Sequence, residues 1–230
     1  MADIKELNGT EAEADSQPSS EEAFVVPRKP VYCFFKRCFD IVFSVLAIAL
    51  LLLPALVICL IIVIDSPGGS PFYVHTRVGK NGKVFRFYKF RSMVPDAEKH
   101  FEELLEKNEM DGPVFKIKKD PRITRFGSFI RRTSIDELPQ LLNILKGDMS
   151  FVGPRPPMPR EVEQYKPCQR FRLQVTPGLT CYWQIQPKRN SLSFEKWCEL
   201  DKKYIQERCF LVDLKILFKT FGAVMGMEGE

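Results

Sequence analysis

Histidine is almost missing from this 230-residue chain, which has only His75 and His100. A multi-histidine metal centre is thereby excluded, and a Ser-His-Asp triad has few members to draw on. Cysteine occurs seven times, but the number is odd and no two stand in CxxC spacing. Neither a disulfide framework nor a zinc site is expected, and a reducing compartment fits better. No internal repeat is found. No basic-then-apolar pattern opens the chain, so no secretory signal is expected. The averages that remain are globular: 45% hydrophobic, 27% charged, net charge +5. They exclude a collagen-like, mucin-like or wholly disordered protein, and the length suits one domain.

Three segments of unlike chemistry lie beneath those averages. Residues 1–30 carry seven acidic and three basic side chains among Ser, Gln, Pro and Ala. With no helical or strand periodicity they read as a disordered acidic tail of net charge −4, which leaves +9 for the rest. From Ile41 to Ile64 only Ser44 and Pro54 are not apolar, and Asp40 and Asp65 bracket the run. As a helix it measures about 36 Å, enough for a hydrocarbon core of roughly 30 Å. Pro54 removes a backbone hydrogen bond in mid-run, and neither half reaches across alone. Basic residues flank both ends: Arg28, Lys29, Lys36 and Arg37 before, Arg77, Lys80 and Lys83 after. The positive-inside rule therefore places both ends in the cytoplasm. A helix broken at Pro54 that enters one leaflet and returns meets these facts; a tilted span with a proline kink is the alternative.

The third segment, from Ser66 on, is polar and basic. Phe72 to Phe90 has β-branched and aromatic residues on both sides of Asn81-Gly82, which predicts a hairpin with a two-residue turn. A charged surface helix is expected over Ala97 to Asn108. Leu138, Leu141, Leu142 and Leu145 mark one face of another helix, ended by Gly147. The final FLVDLKILFKTFGAVM is apolar on one side, so it either lies in a membrane interface or packs on the core. The fold class expected is α+β, mostly helical: a disordered tail (1–30), a proline-broken membrane helix (31–66) and a small catalytic domain with a β-hairpin (67–230).

The chemistry concentrates in RRTSIDELPQLLNILKGDMSFVGPRP. Pro139 is harmless only in a first helical turn, so either Asp136 is the N-cap or Ser134 forms a capping box with Glu137. The first register is preferred; it sets the Asp136 carboxylate against unpaired amides that favour its ionised form. Beside Glu137 and close to Arg131 and Arg132, such an aspartate suits attack on phosphorus or metal-assisted phosphate chemistry. Helix capping alone accounts for the same two residues. Gly153-Pro154-Arg155-Pro156-Pro157 is a stiff loop whose one guanidinium can chelate a phosphate. Lys89 and Arg91 leave the hairpin in YKFRSM, where they either face a diphosphate or lie solvated. Asp201 and Tyr204 share a helix face, and the Asp201 carboxylate either assists a metal or pairs with a neighbouring lysine.

These residues carry a resemblance. KRCFDI before the apolar run, DSPGGSPFYVHTRVGKNGKVFRFYKFRSM, TSIDELPQLLNILKGDMSFVGPRP and TPGLTCYWQI followed by ELDKKYI stand in the order found in the bacterial sugar transferases known as monotopic phosphoglycosyl transferases. The resemblance runs from about Tyr32 to the C-terminus. DGPVFKIKKDPRITRFG is similar to the subgroup that starts exopolysaccharide or O-antigen repeat units with a hexose. It implies transfer of a sugar 1-phosphate, from UDP-glucose or UDP-galactose, to polyprenyl (undecaprenyl) phosphate with release of UMP and use of Mg²⁺. Carried onto this chain, Asp136 is the nucleophile that forms a covalent phosphosugar intermediate, and Glu137 coordinates Mg²⁺. Arg155 holds phosphate, and Lys89, Arg131 and Asp201 complete the polar site. The implied membrane helix is re-entrant with its break at Pro54, on the cytoplasmic face of the inner membrane of a bacterium.

Three positions depart from the family pattern. Leu53 stands where serine commonly precedes the proline, Cys181 replaces a glycine, and Pro187-Lys188-Arg189-Asn190 lacks the glycine of its turn. A membrane-tethered regulator or assembly platform for polysaccharide synthesis is the non-catalytic alternative. Nucleic acid is not an expected partner, since the basic body has no stacking or groove-reading motif. A homodimer is compatible with the residues, which do not require one.

Overall fold

The computed structural model describes residues 24–225 except 102, 105–107, 110–111, 116, 118–119 and 188. Helix α1, Pro30–Asp65, starts with proline in its first turn and continues without interruption past Pro54. The expected division into two helices is thus not seen. An internal proline costs one hydrogen bond, and α1 is supported along its length by the body beside it. One stripe faces that body. Arg37 donates to the carbonyls of Ile144 (2.5 Å) and Leu145 (2.7 Å). Asp40 accepts from the Ser150 hydroxyl and the Phe151 amide. Ala47, Ile48 and Leu51 then pack on Phe85, Phe87, Leu141 and Ile144. Ala55, Ile58, Cys59 and Ile62 pack near Phe90 and Ile130, and Asp65 accepts from the Phe126 amide. The opposite stripe, with Leu46, Leu50, Leu53, Leu56, Val57 and Leu60, is exposed. The helix is long and apolar enough to cross a membrane, yet no stretch of it longer than a turn or so between Arg37 and Asp65 is free of the polar body.

Of the tail expected over residues 1–30, the last few residues are described. Residues 1–23 lie outside the described residues, but 24–29 are packed on the domain. Phe24 meets Phe171 edge-on, Lys29 donates to the carbonyls of Gln206 and Arg208, and Arg208 returns a bond to the Pro27 carbonyl. These contacts span more than 140 residues of sequence, so local composition does not signal them.

Strands β1, Phe72–Val78, and β2, Val84–Phe90, form the antiparallel hairpin. The turn has positive φ at Asn81 and Gly82, as expected, but the loop is longer than two residues. Val78 pairs with Val84 and the Gly79 amide donates to the Lys83 carbonyl, which makes Lys80–Gly82 a three-residue tip. Ala97–His100 is a 3₁₀ turn, and residues 102 and 105–107 of the helix expected to Asn108 lie outside the described residues.

Helix α2, Arg125–Arg132, is capped by the Thr124 hydroxyl, which accepts from the Gly127 amide. A Cβ at Gly127 would lie 1.9 Å from the Ser92 carbonyl oxygen, so only glycine lets α2 close on the strand leaving β2. A 3₁₀ helix, Ile135–Gln140, runs directly into α3, Leu141–Lys146, which ends at Gly147 with φ +92° as expected. The leucine face is only partly buried. Leu141 and Ile144 point inward with Asn143, whereas Leu142 is exposed.

The rest forms a second layer. Strand β3, Ser150–Val152, pairs in parallel with β4, Gly178–Thr180. Helices α4 (Pro159–Glu163), α5 (Phe194–Glu207) and α6 (Phe210–Met225) complete the chain. Its core holds Tyr165, Phe171, Trp183, Phe194, Trp197, Tyr204, Ile205 and Ile216, with Trp183 and Trp197 stacked at 3.9 Å. Helix α6 packs on the core through Ile216 and Asp213, which are buried, while Phe210, Leu211, Phe218 and Phe221 are exposed. The class is the mixed, mainly helical one expected.

Candidate active site

Asp136 lies inside the 3₁₀ helix and not at an N-cap, so the preferred register is not the one formed. Ser134 stands before the helix with φ +57° and caps nothing with its side chain, so the alternative is not formed either. Proline accounts for both outcomes: 3₁₀ geometry through Pro139 leaves its missing N–H outside the α-helical ladder. The Asp136 carboxylate turns inward and is only 5% exposed. Its partner comes from β2: Lys89 Nζ stands 3.2 Å from Asp136 Oδ2 and 2.9 Å from Glu137 Oε1. Hairpin and 3₁₀ turn thus bring together three of the expected residues across 47 positions of sequence.

Burial raises the Asp136 pKa; Lys89 and Arg131 pull it down, and Glu137 pushes it up again. This is opposite to the N-cap expectation, because the carboxylate has lost water without gaining helix amides. For Lys89, burial works against the charge, but the two carboxylates more than offset it and hold the ammonium above the ordinary lysine value. A shared lysine between two carboxylates leaves one negative charge over, so the trio attracts cations on one side. Arg131 on α2 acts on Asp136 through its charge.

Arg155 approaches from the other side. Its loop is held by backbone: Gly153 donates to the Thr180 carbonyl, Gly178 to that of Pro154, and Val78 to that of Pro157. A Cβ at Gly178 would come within 2.0 Å of the Gly153 nitrogen, so glycine is needed where β4 meets this loop. Arg77 adds a bond of 3.0 Å to the Pro156 carbonyl from a buried position. Arg155 itself makes no hydrogen bond among the described residues. Its charge reaches Lys89, Arg77 and His75. Burial and the neighbouring cations Arg77, Lys89, Arg155 and Arg160 push the His75 pKa down to about 2, so the ring is neutral. Arg77 falls to about 9, from burial first and then Arg155. Such a concentration of positive charge, with Glu161 3.9 Å from Arg77 as its counterion there, is suited to a polyanion.

Arg77, His75 and Arg160 escaped the sequence reading. The alternation HTRV along β1 was the available signal, since it sets His75 and Arg77 on one face of the strand.

Asp201 is not part of this cluster. It is 0% exposed in the second layer, where Arg172 Nε donates to it at 2.7 Å and Arg172 Nη1 donates to the Tyr165 hydroxyl. Burial alone would lower the Arg172 pKa; the Asp201 carboxylate reverses that and keeps the guanidinium charged. Arg91 also lies apart: it donates to the Ser66 carbonyl and closes the end of α1. Tyr204, on the Asp201 face as expected, bonds the Val152 carbonyl and Asp213. Of the three departures, Cys181 is in the second-layer core beside Gln184, Leu53 is on the exposed stripe of α1, and Lys188 lies outside the described residues.

No three His, Cys, Asp or Glu side chains gather to hold a metal among the described residues. The carboxylates of Asp136 and Glu137 fit Mg²⁺, which takes one or two carboxylates and fills its octahedron with water and substrate phosphates.

The bacterial sugar transferase family matches residues 31–227. The chain belongs to it. Among curated relatives, the UDP-galactose-lipid carrier transferase of Erwinia amylovora is 46% identical over 85% of this chain and 41% of its own length. The undecaprenyl-phosphate galactose phosphotransferase of Salmonella typhimurium is 43% identical over 85% and 41%. The exopolysaccharide production protein ExoY of Sinorhizobium fredii is 40% identical over 92% of this chain and 97% of its own. The chain therefore spans about two-fifths of the first two relatives and nearly all of the third.

Proposed function

We propose that this chain transfers galactose 1-phosphate from UDP-galactose to polyprenyl (undecaprenyl) phosphate, releasing UMP, as the first membrane step of exopolysaccharide, capsule or O-antigen synthesis. The observation that carries the reading is Lys89 bridging the buried Asp136 and Glu137 next to a loop that presents Arg155. Galactose is chosen because two relatives bear it in their names; glucose is the next sugar to test.

In the first half, an Asp136 carboxylate oxygen attacks the sugar-bearing phosphorus. The bond from that phosphorus to the bridging oxygen breaks, and UMP leaves with the electron pair. In the second half, a polyprenyl phosphate oxygen attacks the same phosphorus and the bond to Asp136 breaks, which restores the free carboxylate. Lys89 holds Asp136 ionised against the burial that raises its pKa, and orients it. Arg155, with Arg77 behind its loop, neutralises the diphosphate, and Arg131 balances charge on the α2 side. Glu137 would hold Mg²⁺, which when bound supplies further neutralisation of phosphate charge.

The lipid substrate fixes where the domain works. With its outward stripe apolar and its other stripe attached to the body turn by turn, α1 is read as seated in one leaflet, with both ends on the cytoplasmic face of the inner membrane. The exposed Phe218 and Phe221 of α6 lie at the same interface.

The test is purified protein in detergent with polyprenyl phosphate, Mg²⁺ and a panel of UDP-sugars, with UMP measured. UMP formed from UDP-galactose and abolished by a chelator is expected. A protein that releases no UMP from any of them is the non-catalytic platform instead.

A further inference from the structure

Asn143 is 0% exposed and sits among Phe85, Phe87, Leu141 and Ile144. A primary amide is costly in such surroundings unless its polar atoms are bonded. Both of them are, and to one strand: the Asn143 amide nitrogen donates to the Arg86 carbonyl at 2.6 Å, and its oxygen accepts from the Tyr88 amide at 3.2 Å. Arg86 and Tyr88 are two apart on β2, so their backbone groups face the edge of the hairpin that β1 does not cover. The side chain of Asn143 stands there as a substitute for a neighbouring strand.

The next residue along β2 is Lys89. Asn143 is in α3, which continues directly from the 3₁₀ helix that carries Asp136 and Glu137. Strand and helical segment are therefore joined at two places, by the Asn143 amide and by the Lys89 ammonium on its two carboxylates. The second attachment involves a four-carbon stem with many rotamers; the first is a pair of bonds from a short, enclosed side chain. Lys146 adds an exposed contact to the Tyr88 hydroxyl, which cannot set the height of the strand in the same way.

We infer that Asn143 is a positioning residue for the transfer: it fixes the register of β2 against the helix so that Lys89 meets both Asp136 and Glu137. The inference rests on the proposed phosphoglycosyl transfer. Displacement of the ammonium by about 1 Å is enough to cost a site of this kind on the order of a hundredfold in rate.

The experiment is a double-mutant cycle on the full chain in detergent: wild type, Asn143→Ala, Lys89→Met and the double variant. UMP release from UDP-galactose with Mg²⁺ is followed, and rates are corrected for the folded fraction from thermal unfolding. Asn143→Ala is expected to lower kcat at least tenfold while KM for UDP-galactose changes less than threefold. In the Lys89→Met background the same change should alter the rate less than twofold, because the group it positions is gone. Effects that multiply across the cycle, or a loss accounted for by unfolded protein, overturn the inference. If Asn143→Ala does not fold, Asn143→Asp takes its place in the cycle, since it keeps the acceptor for Tyr88 and loses the donor to Arg86. A wild type that releases no UMP, or a Lys89→Met variant as fast as wild type, refutes the underlying site and the inference with it.

Discussion

Two buried aspartates in this protein each face a cation, and they differ in what surrounds the pair. Asp201 meets Arg172, which is itself held by the Tyr165 hydroxyl, and the group is closed off from water. Asp136 shares the more flexible Lys89 with Glu137, so charge is left over, and further cations stand nearby at Arg155 and Arg131. A closed, neutral pair is scaffold: removing one partner leaves the other stranded. An unbalanced, partly open one is poised to take charged ligands and tolerates removal of the Asp136 charge, since Lys89 keeps Glu137 as its partner.

Three single substitutions separate the two regions, and one double substitution tests α6. The largest effect is expected from Asp136→Asn, which should reduce transfer by on the order of 10⁴-fold or more, read as UMP released. The same variant should be the more stable protein at neutral pH. Because burial raises the folded-state pKa of Asp136, ionising it costs more in the folded protein than in the unfolded chain; the stability contributed by its protonated form is present below the ordinary carboxylate value and lost as pH rises through the raised one. Asparagine removes the buried charge, and a melting temperature a few degrees higher, about 1 kcal/mol, is expected by calorimetry at pH 7.5.

Lys89→Met follows, with a loss of about 10²- to 10³-fold in kcat. Its pH–rate profile should also change, since the acid limb set by Asp136 moves to higher pH once the lysine no longer opposes burial. In the wild type that limb already lies above the ordinary aspartate value.

Asp201→Asn should show the reverse of Asp136→Asn. Burial raises the Asp201 pKa as well, so the difference lies in the cation left behind. Lys89 keeps Glu137, whereas Arg172 loses the carboxylate it bonds in the core. That loss should cost about 3–5 kcal/mol in unfolding free energy, while activity per folded molecule stays within about twofold. Loss of activity with full stability would join Asp201 to the site after all. The smallest effect is expected on the exposed apolar side of α6. Phe218→Ser with Phe221→Ser should weaken vesicle partitioning by several-fold through lost apolar burial, at about 1.5–3 kcal/mol for each side chain that is fully buried, and leave the chemistry per bound molecule intact.

What could be read from the chain follows the range of the interactions. The apolar run, the positive φ of Asn81 and Gly82, the stop at Gly147 and the apolar side of α6 are local, and each was legible. Lys89, Asp136, Glu137 and Arg155 stand out through the motifs that contain them, and the structure brings the first three within hydrogen-bond reach. Illegible were facts set by partners far away in sequence. The Arg172 partner of Asp201 is 29 residues distant, so the local sequence does not show the pairing. The inward turn of Asp136 depends on β2, and local capping rules pointed to the wrong environment and the wrong direction of pKa shift. Pro54 was expected to break α1 because its support comes from elsewhere, from Phe85, Phe87, Phe90 and Ile130 along the inner stripe. Asn143 looks like one polar residue in a leucine-rich helix until β2 is beside it.

The most direct test of the central claim is a covalent one. Purified protein is mixed with Mg²⁺ and UDP-galactose without lipid acceptor, quenched, digested with trypsin and examined by mass spectrometry at the peptide from Thr133 to Lys146, TSIDELPQLLNILK. A hexose-phosphate adduct on Asp136, formed with an equal amount of UMP and discharged on addition of polyprenyl phosphate, is the predicted result. UMP that appears only when the lipid is present, with that peptide unmodified in rapid-quench samples, would contradict it.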